Sequence, residues 1–247
     1  MAHTIAAETT TAATGSKGLL ARLVGVLFSP RATYADVAAR PRWLGTFLAV
    51  YLVSAAAATT FMATEVGRNA VLDQQISQSE SFSGRPMNQQ QLDRLETMSK
   101  YFVYTAPIFQ LVFFLVAPLV IGGIAFAIFN AVMGGDATFK QVYAIVVHSG
   151  VILAALSLFS TPLAYARGTL TSATNLAVFF PFLDEATFAA RLLGSIDLIY
   201  VWWMVSLAIG LGVLYRRRTG PIATTLLIVY ASIGAIIAAI KTATAGA

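Results

Sequence analysis

Five stretches of this 247-residue chain are apolar for about twenty residues or more, and they decide what it can fold into. They run about 43–64 (WLGTFLAVYLVSAAAATTFMAT), about 104–131, about 141–161, about 192–215 and about 221–240. A hydrocarbon core about 30 Å thick takes roughly 20 residues of helix at 1.5 Å each. In lipid an isolated segment satisfies its own backbone only as a helix. The expected fold is therefore all-α: a polytopic integral membrane protein with five transmembrane helices. Composition agrees, at 57% hydrophobic, 11% charged and a mean hydropathy of +0.74. A water-facing surface usually needs a charged fraction nearer a quarter.

Basic residues set the expected orientation. With the N-terminus in the cytosol, the inner segments hold nine (Lys17, Arg22, Arg31, Arg40, Arg42, Lys140 and Arg216 to Arg218) against Glu8, Asp36 and Asp136. The outer segments hold seven, matched by seven acids. Adding Asp197 inside the fourth stretch returns the net +5. Nine against seven, with three arginines at one span end, predicts the N-terminus inside and the C-terminus outside. The basic balance is thus a topology signature. No basic stripe interleaved with aromatics points to nucleic acid.

The connecting segments also carry signals. Residues 1–16 are small, polar and low in complexity, and read as a disordered tail. Residues 17–42 read as interfacial helices on the cytosolic surface, with Leu19, Leu20, Leu23, Val24 and Leu27 in the lipid and Lys17 and Arg22 among the headgroups. Ser29 and Pro30 suit a helix start, Pro41 a stop, and Trp43 an interfacial anchor. In the outer helical loop 65–103, Asn88 and Gln91 have capping-box spacing, and the helix they start is expected to run into the second span. GGDATF (134–139) reads as a turn and a capped helix start, and Asp184 as the cap of the helix entering the fourth span. The apolar patch LAVFFPFL (176–183) is too short to cross and should lie on the outer leaflet.

Ionisable groups inside spans are costly, which makes them the site candidates. They are Asp197, on a row of small residues from Gly194 to Gly212, and His148, with Gln110 and Asn130 as polar companions. A buried side chain bonded to a neighbouring helix is the plainer reading, and a proton or ion relay the sharper one. A serine–histidine pair at 148–149 fails, because adjacent helical residues do not face each other. One intramembrane carboxylate cannot make an aspartyl dyad. Cysteine is absent, and His3 and His148 are the only histidines, so no thiolate or histidine-rich metal centre and no cofactor is implied. Trp202 and Trp203 read as core packing, and Gly122–Gly123 as a bend or close helix contact. At the inner face, Arg31, Arg40, Arg42, Trp43 and Arg216, Arg217 and Arg218 are candidates for lipid or partner contact, the last three toward anionic lipid.

The segments LLARLVGVLFSPRATYADVAARPRW, GGDATFKQVYAIVVHSG and LLGSIDLIYVWWMVSLAIGLGVLYRRRTGP resemble bacterial members of the Yip-one (Ypt/Rab-interacting protein) domain family, over about residues 19–240. The resemblance implies five spans, a cytosolic N-terminus and an exterior C-terminus, here in a bacterial cytoplasmic membrane. Eukaryotic members are linked to Rab-type GTPases and membrane shaping, a role tied to a long N-terminal domain that this sequence does not show. His148, and the lack of a proline after it, depart from many relatives. Asp197 falls at the aspartate of the fourth-span pattern. The expected function is non-enzymatic: organising membrane or recruiting an unidentified partner at the cytosolic face. The alternative is a small homo-oligomeric transporter or channel using the Asp197 region.

Overall fold

Ten α-helices, most of them joined by short turns and α7 and α8 by a longer loop, form the computed structural model, which describes residues 17–184 and 186–245. The tail at 1–16 lies outside the described residues. In chain order the helices are α1 Leu19–Phe28, α2 Pro30–Ala39, α3 Leu44–Ala63, α4 Glu65–Ser83, α5 Gln89–Phe126, α6 Phe139–Ser149, α7 Val151–Arg167, α8 Phe188–Ser195, α9 Leu198–Leu214 and α10 Thr219–Ala245. Four helical stretches are long and apolar enough to cross a membrane: Leu44–Ala63, Tyr104–Val132, Phe139–Arg167 and Thr219–Thr244.

Local chemistry explains the helix ends. Asn88 and Gln91 form the expected capping box, and α5 runs from it into the second apolar stretch without interruption. Thr138 and Gln141 form a second box that starts α6. Gly122 brings α5 close to α6, since a Cβ there would meet the Tyr143 backbone at 3.8 Å. After Phe126 the helix widens into a π turn, Ala127–Val132. Helix α9 ends in a Schellman motif: Arg216 takes a left-handed φ of 52°, and the Arg217 N–H bonds the Gly212 carbonyl at 2.9 Å.

Helix α6 is the hub. Val142, Ile145 and Val146 pack with Ile152 of α7 and with Leu207 and Leu211 of α9 in one core cluster. One end of the bundle gathers the turns after α2, α5 and α9: Gln141 bonds the Ala38 carbonyl at 3.0 Å, and the Tyr215 hydroxyl bonds Asn130 at 2.6 Å. The other end gathers α4, the 168–187 loop and the end of α10, where Thr244 bonds the Ser81 carbonyl at 3.0 Å.

Four expectations need correction. The fourth apolar stretch is not one helix. It breaks at Ile196–Asp197 into α8 and the 17-residue α9, so the small-residue row from Gly194 onward does not hold one face. Thr187, not Asp184, caps α8. Third, Arg22 of α1 is not exposed as a headgroup contact would require. Helix α2 seats against α6 and α9, with Thr33, Tyr34 and Val37 fully buried, and Arg22 turns inward. The reason is Asp36, whose carboxylate accepts from Arg22 Nε at 2.8 Å, while Arg22 Nη2 bonds the Arg40 carbonyl at 3.1 Å. A guanidinium with a partner and a carbonyl can be buried where an unpaired one cannot. Leu20, Val24 and Phe28 are left exposed along one side of α1. Trp202 also faces outward, and only Trp203 serves the core, donating to Ser149 Oγ at 3.0 Å.

Candidate functional site

The break before α9 is built around Asp197. Its carboxylate caps α9 by accepting the Ile199 N–H at 2.8 Å, and it also accepts from the Thr174 hydroxyl at 2.9 Å and from Ser172. Its own N–H donates to the Tyr230 hydroxyl of α10 at 3.0 Å, and that hydroxyl donates to the Ser195 carbonyl at 2.9 Å. Two backbone bonds, Leu176 N–H to Ile196 O and Leu198 N–H to Thr174 O, pair the break with the loop. Irregular backbone away from water needs protein groups to satisfy it, and here a loop and a tyrosine do so. The α9 N-terminus adds a favourable dipole for the negative charge.

Beside this knot lies a cavity of about 500 Å³, with Gln110, Ser157, Arg167, Thr171, Asp197 and Tyr200 in its walls. Gln110 therefore meets Asp197 across one cavity. His148 does not join them. It is fully buried between α6 and α3, with Nδ1 2.7 Å from the Ala144 carbonyl and Nε2 2.9 Å from Thr46 Oγ1. A carbonyl only accepts, so Nδ1 carries the proton and the Thr46 hydroxyl can donate to Nε2. Ser149 instead donates to the Val146 carbonyl at 2.7 Å, so the two make no dyad. Asn130 belongs to the opposite end, where it donates to the Ala137 carbonyl at 2.7 Å and holds Tyr215. Among the described residues no three His, Cys, Asp or Glu side chains converge as a metal site would require.

The second candidate surface is the α1–α2 unit. The Tyr34 hydroxyl reaches Ser206 of α9 at 2.7 Å, and its burial pushes the phenol above the usual tyrosine range, keeping it a neutral hydroxyl. Gly210 makes the fit: a Cβ there would press on Ile145 and, at 3.1 Å, on the Tyr34 ring. Arg31, Arg40 and Arg42 are exposed on this unit, with Arg40 3.8 Å from Asp36. Trp43 is half-buried and packs edge-on against Tyr143, ring centroids 5.1 Å apart. Arg216, Arg217 and Arg218 are exposed beyond α9.

The SPRATY segment with its buried Thr33 and Tyr34, the turn before α6 and the broken fourth stretch lie in the three segments that carried the family resemblance, and the family model for the Yip1 domain matches residues 24–240. The chain belongs to the Yip1 domain family. With its long apolar helices, this Yip1-domain chain is a multi-pass membrane protein, in a family that is non-catalytic. No curated protein and no solved structure matches it. Sequence reasoning missed Ser172, Thr174, Tyr230 and Tyr34. The only available signals were the run of hydroxyls in TLTSAT and a tyrosine in an otherwise small-residue helix.

Proposed function

We propose that this Yip1-domain protein crosses a bacterial cytoplasmic membrane five times, N-terminus in the cytosol and C-terminus outside, and acts without catalysis as a platform that organises membrane or recruits a partner at its cytosolic face. Helix α9 supports the fifth crossing. It runs beside α10 from the Asp197 knot to the arginine turn, and the residues of its break have protein partners. The observation that carries recruitment is the anchoring of α1–α2. Arg22–Asp36 fastens α1 to α2 and Tyr34–Ser206 fastens α2 to α9, so Arg31 and Arg42 are presented on a rigid support that also exposes Leu20, Val24 and Phe28.

The test is charge reversal at Arg31 and Arg42, sparing Arg40 because it flanks Asp36. Photocrosslinking in living cells from probes at the exposed positions Ala35 and Ala39, which the charge reversal leaves unchanged, should capture a specific species. Arg31→Glu with Arg42→Glu should reduce that capture more than about tenfold, since each basic residue contributes about 1 kcal/mol near an anionic surface, with insertion and thermal stability unchanged. Equal capture by the variant would refute recruitment through this face.

A second reading, solute or ion transport, has the 500 Å³ cavity beside Asp197 and Arg167 in its favour. It requires solute-dependent ion flux in proteoliposomes that Asp197→Asn abolishes. Flux that survives the substitution, or none over a broad solute panel, rules it out.

A further inference from the structure

An apolar groove of about 760 Å³ opens between the π turn that ends α5, helix α9 and helix α10. Leu207 and Leu211, each 2% exposed, form its floor. Ile124 and Ile128 form one wall and Ile222 and Val229 the other. Arg217 and Arg218 stand at its mouth. From Pro221 to Ile233 the α10 wall rises roughly 18 Å, at 1.5 Å per residue. That is close to the depth of one leaflet, half of a core about 30 Å thick.

Three observations say what the groove fits. Its walls are branched and long side chains, whereas surfaces that receive another transmembrane helix favour Gly, Ala and Ser so that backbones can approach. Its volume lies within the roughly 300–1,000 Å³ of sites that enclose small ligands. The charge at its mouth is uncompensated: among the described residues the ion pairs are Arg22 and Arg40 with Asp36, and no carboxylate comes within 4.0 Å of Arg217 or Arg218. Arg217 spends one donor, at 3.5 Å, on the Met133 carbonyl. A planar guanidinium with donors to spare suits the oxygens of a phosphate.

We propose that the groove holds one acyl chain of an anionic phospholipid, whose phosphate sits between Arg217 and Arg218. This goes beyond recruitment at α1–α2 and does not depend on it; it holds whichever leaflet the arginines face.

The experiment titrates the purified full-length chain in detergent micelles with phosphatidylglycerol and with phosphatidylcholine of the same acyl chains, counting bound lipid by native mass spectrometry. The parent should prefer phosphatidylglycerol roughly thirtyfold, about a fivefold factor for each arginine. Arg217→Gln with Arg218→Gln should erase that preference and leave phosphatidylcholine binding as it was. Filling the groove with Val229→Trp, or independently Thr225→Trp, should weaken both lipids about tenfold. Either variant can decide this arm if the other misfolds. A parent that does not distinguish the two headgroups overturns the proposal. So does undiminished binding to folded tryptophan variants, which would mean surface arginines alone. Disulfide crosslinking between two copies through cysteines at 229, undiminished by phosphatidylglycerol, would put a second copy in the groove and overturn it too.

Discussion

Asp36→Ala should destabilise the protein by about 3 kcal/mol or more, measured by detergent-denaturant unfolding of the purified chain. The Arg22 side chain is 4% exposed and its Nε lies 2.8 Å from the Asp36 carboxylate. Removing the carboxylate leaves a buried guanidinium with one carbonyl, that of Arg40, as its described partner. Losing one member of such a pair is far more costly than replacing both by apolar groups. Arg22→Met together with Asp36→Leu should therefore recover most of the loss. The pair fastens α1 to α2, and α2 carries Tyr34 into the core, so the single variant should also release α1 to proteolysis. A change within about 0.5 kcal/mol would mean that Arg22 reaches water easily, and the α1–α2 unit would then be too loose to serve as a rigid platform.

What the sequence displays well is whatever is decided within a turn or two of the chain. Apolar length announces the helices Leu44–Ala63, Tyr104–Val132, Phe139–Arg167 and Thr219–Thr244. The capping box at Asn88 is visible because its partner is three residues away. Arg22 is different. Periodicity gives it a place on α1, but the choice between headgroups and interior depends on Asp36, 14 residues later, and on the packing that brings α2 underneath. The break at 196–197 is hidden for another reason. Helix α9 is apolar on every side, so it has no periodic pattern whose interruption could be seen. The groups that make the break tolerable, Ser172 and Thr174, lie 25 and 23 residues upstream in a loop that has no periodicity of its own. The polar cluster at the opposite end of the bundle joins Asn130 to Tyr215 across 85 residues, which no local pattern encodes.

Asp197 separates a structural carboxylate from a working one, and two substitutions there should behave differently. Asp197→Ala removes the α9 cap, which costs about 0.5–2 kcal/mol. It also strips the half-buried Ser172 and Thr174 hydroxyls of their acceptor, a penalty toward the low end of about 1–3 kcal/mol for each group left unsatisfied. A loss of about 3 kcal/mol is expected, with faster hydrogen exchange concentrated in the 168–187 loop and the first turn of α9. Asp197→Asn keeps an oxygen for the Ile199 N–H, and the Ser172 and Thr174 hydroxyls can turn to accept from its amide. Its loss should stay near 1 kcal/mol or less. Most of the carboxylate's role is then geometric: it starts α9 and pins the loop to the junction, while the backbone N–H of Asp197 holds Tyr230 in either variant. If Asp197→Asn unfolds the junction as badly as alanine does, the negative charge itself holds the α9 N-terminus. In that case an electrostatic pairing with the helix dipole, rather than the count of hydrogen bonds, keeps the broken helix in place.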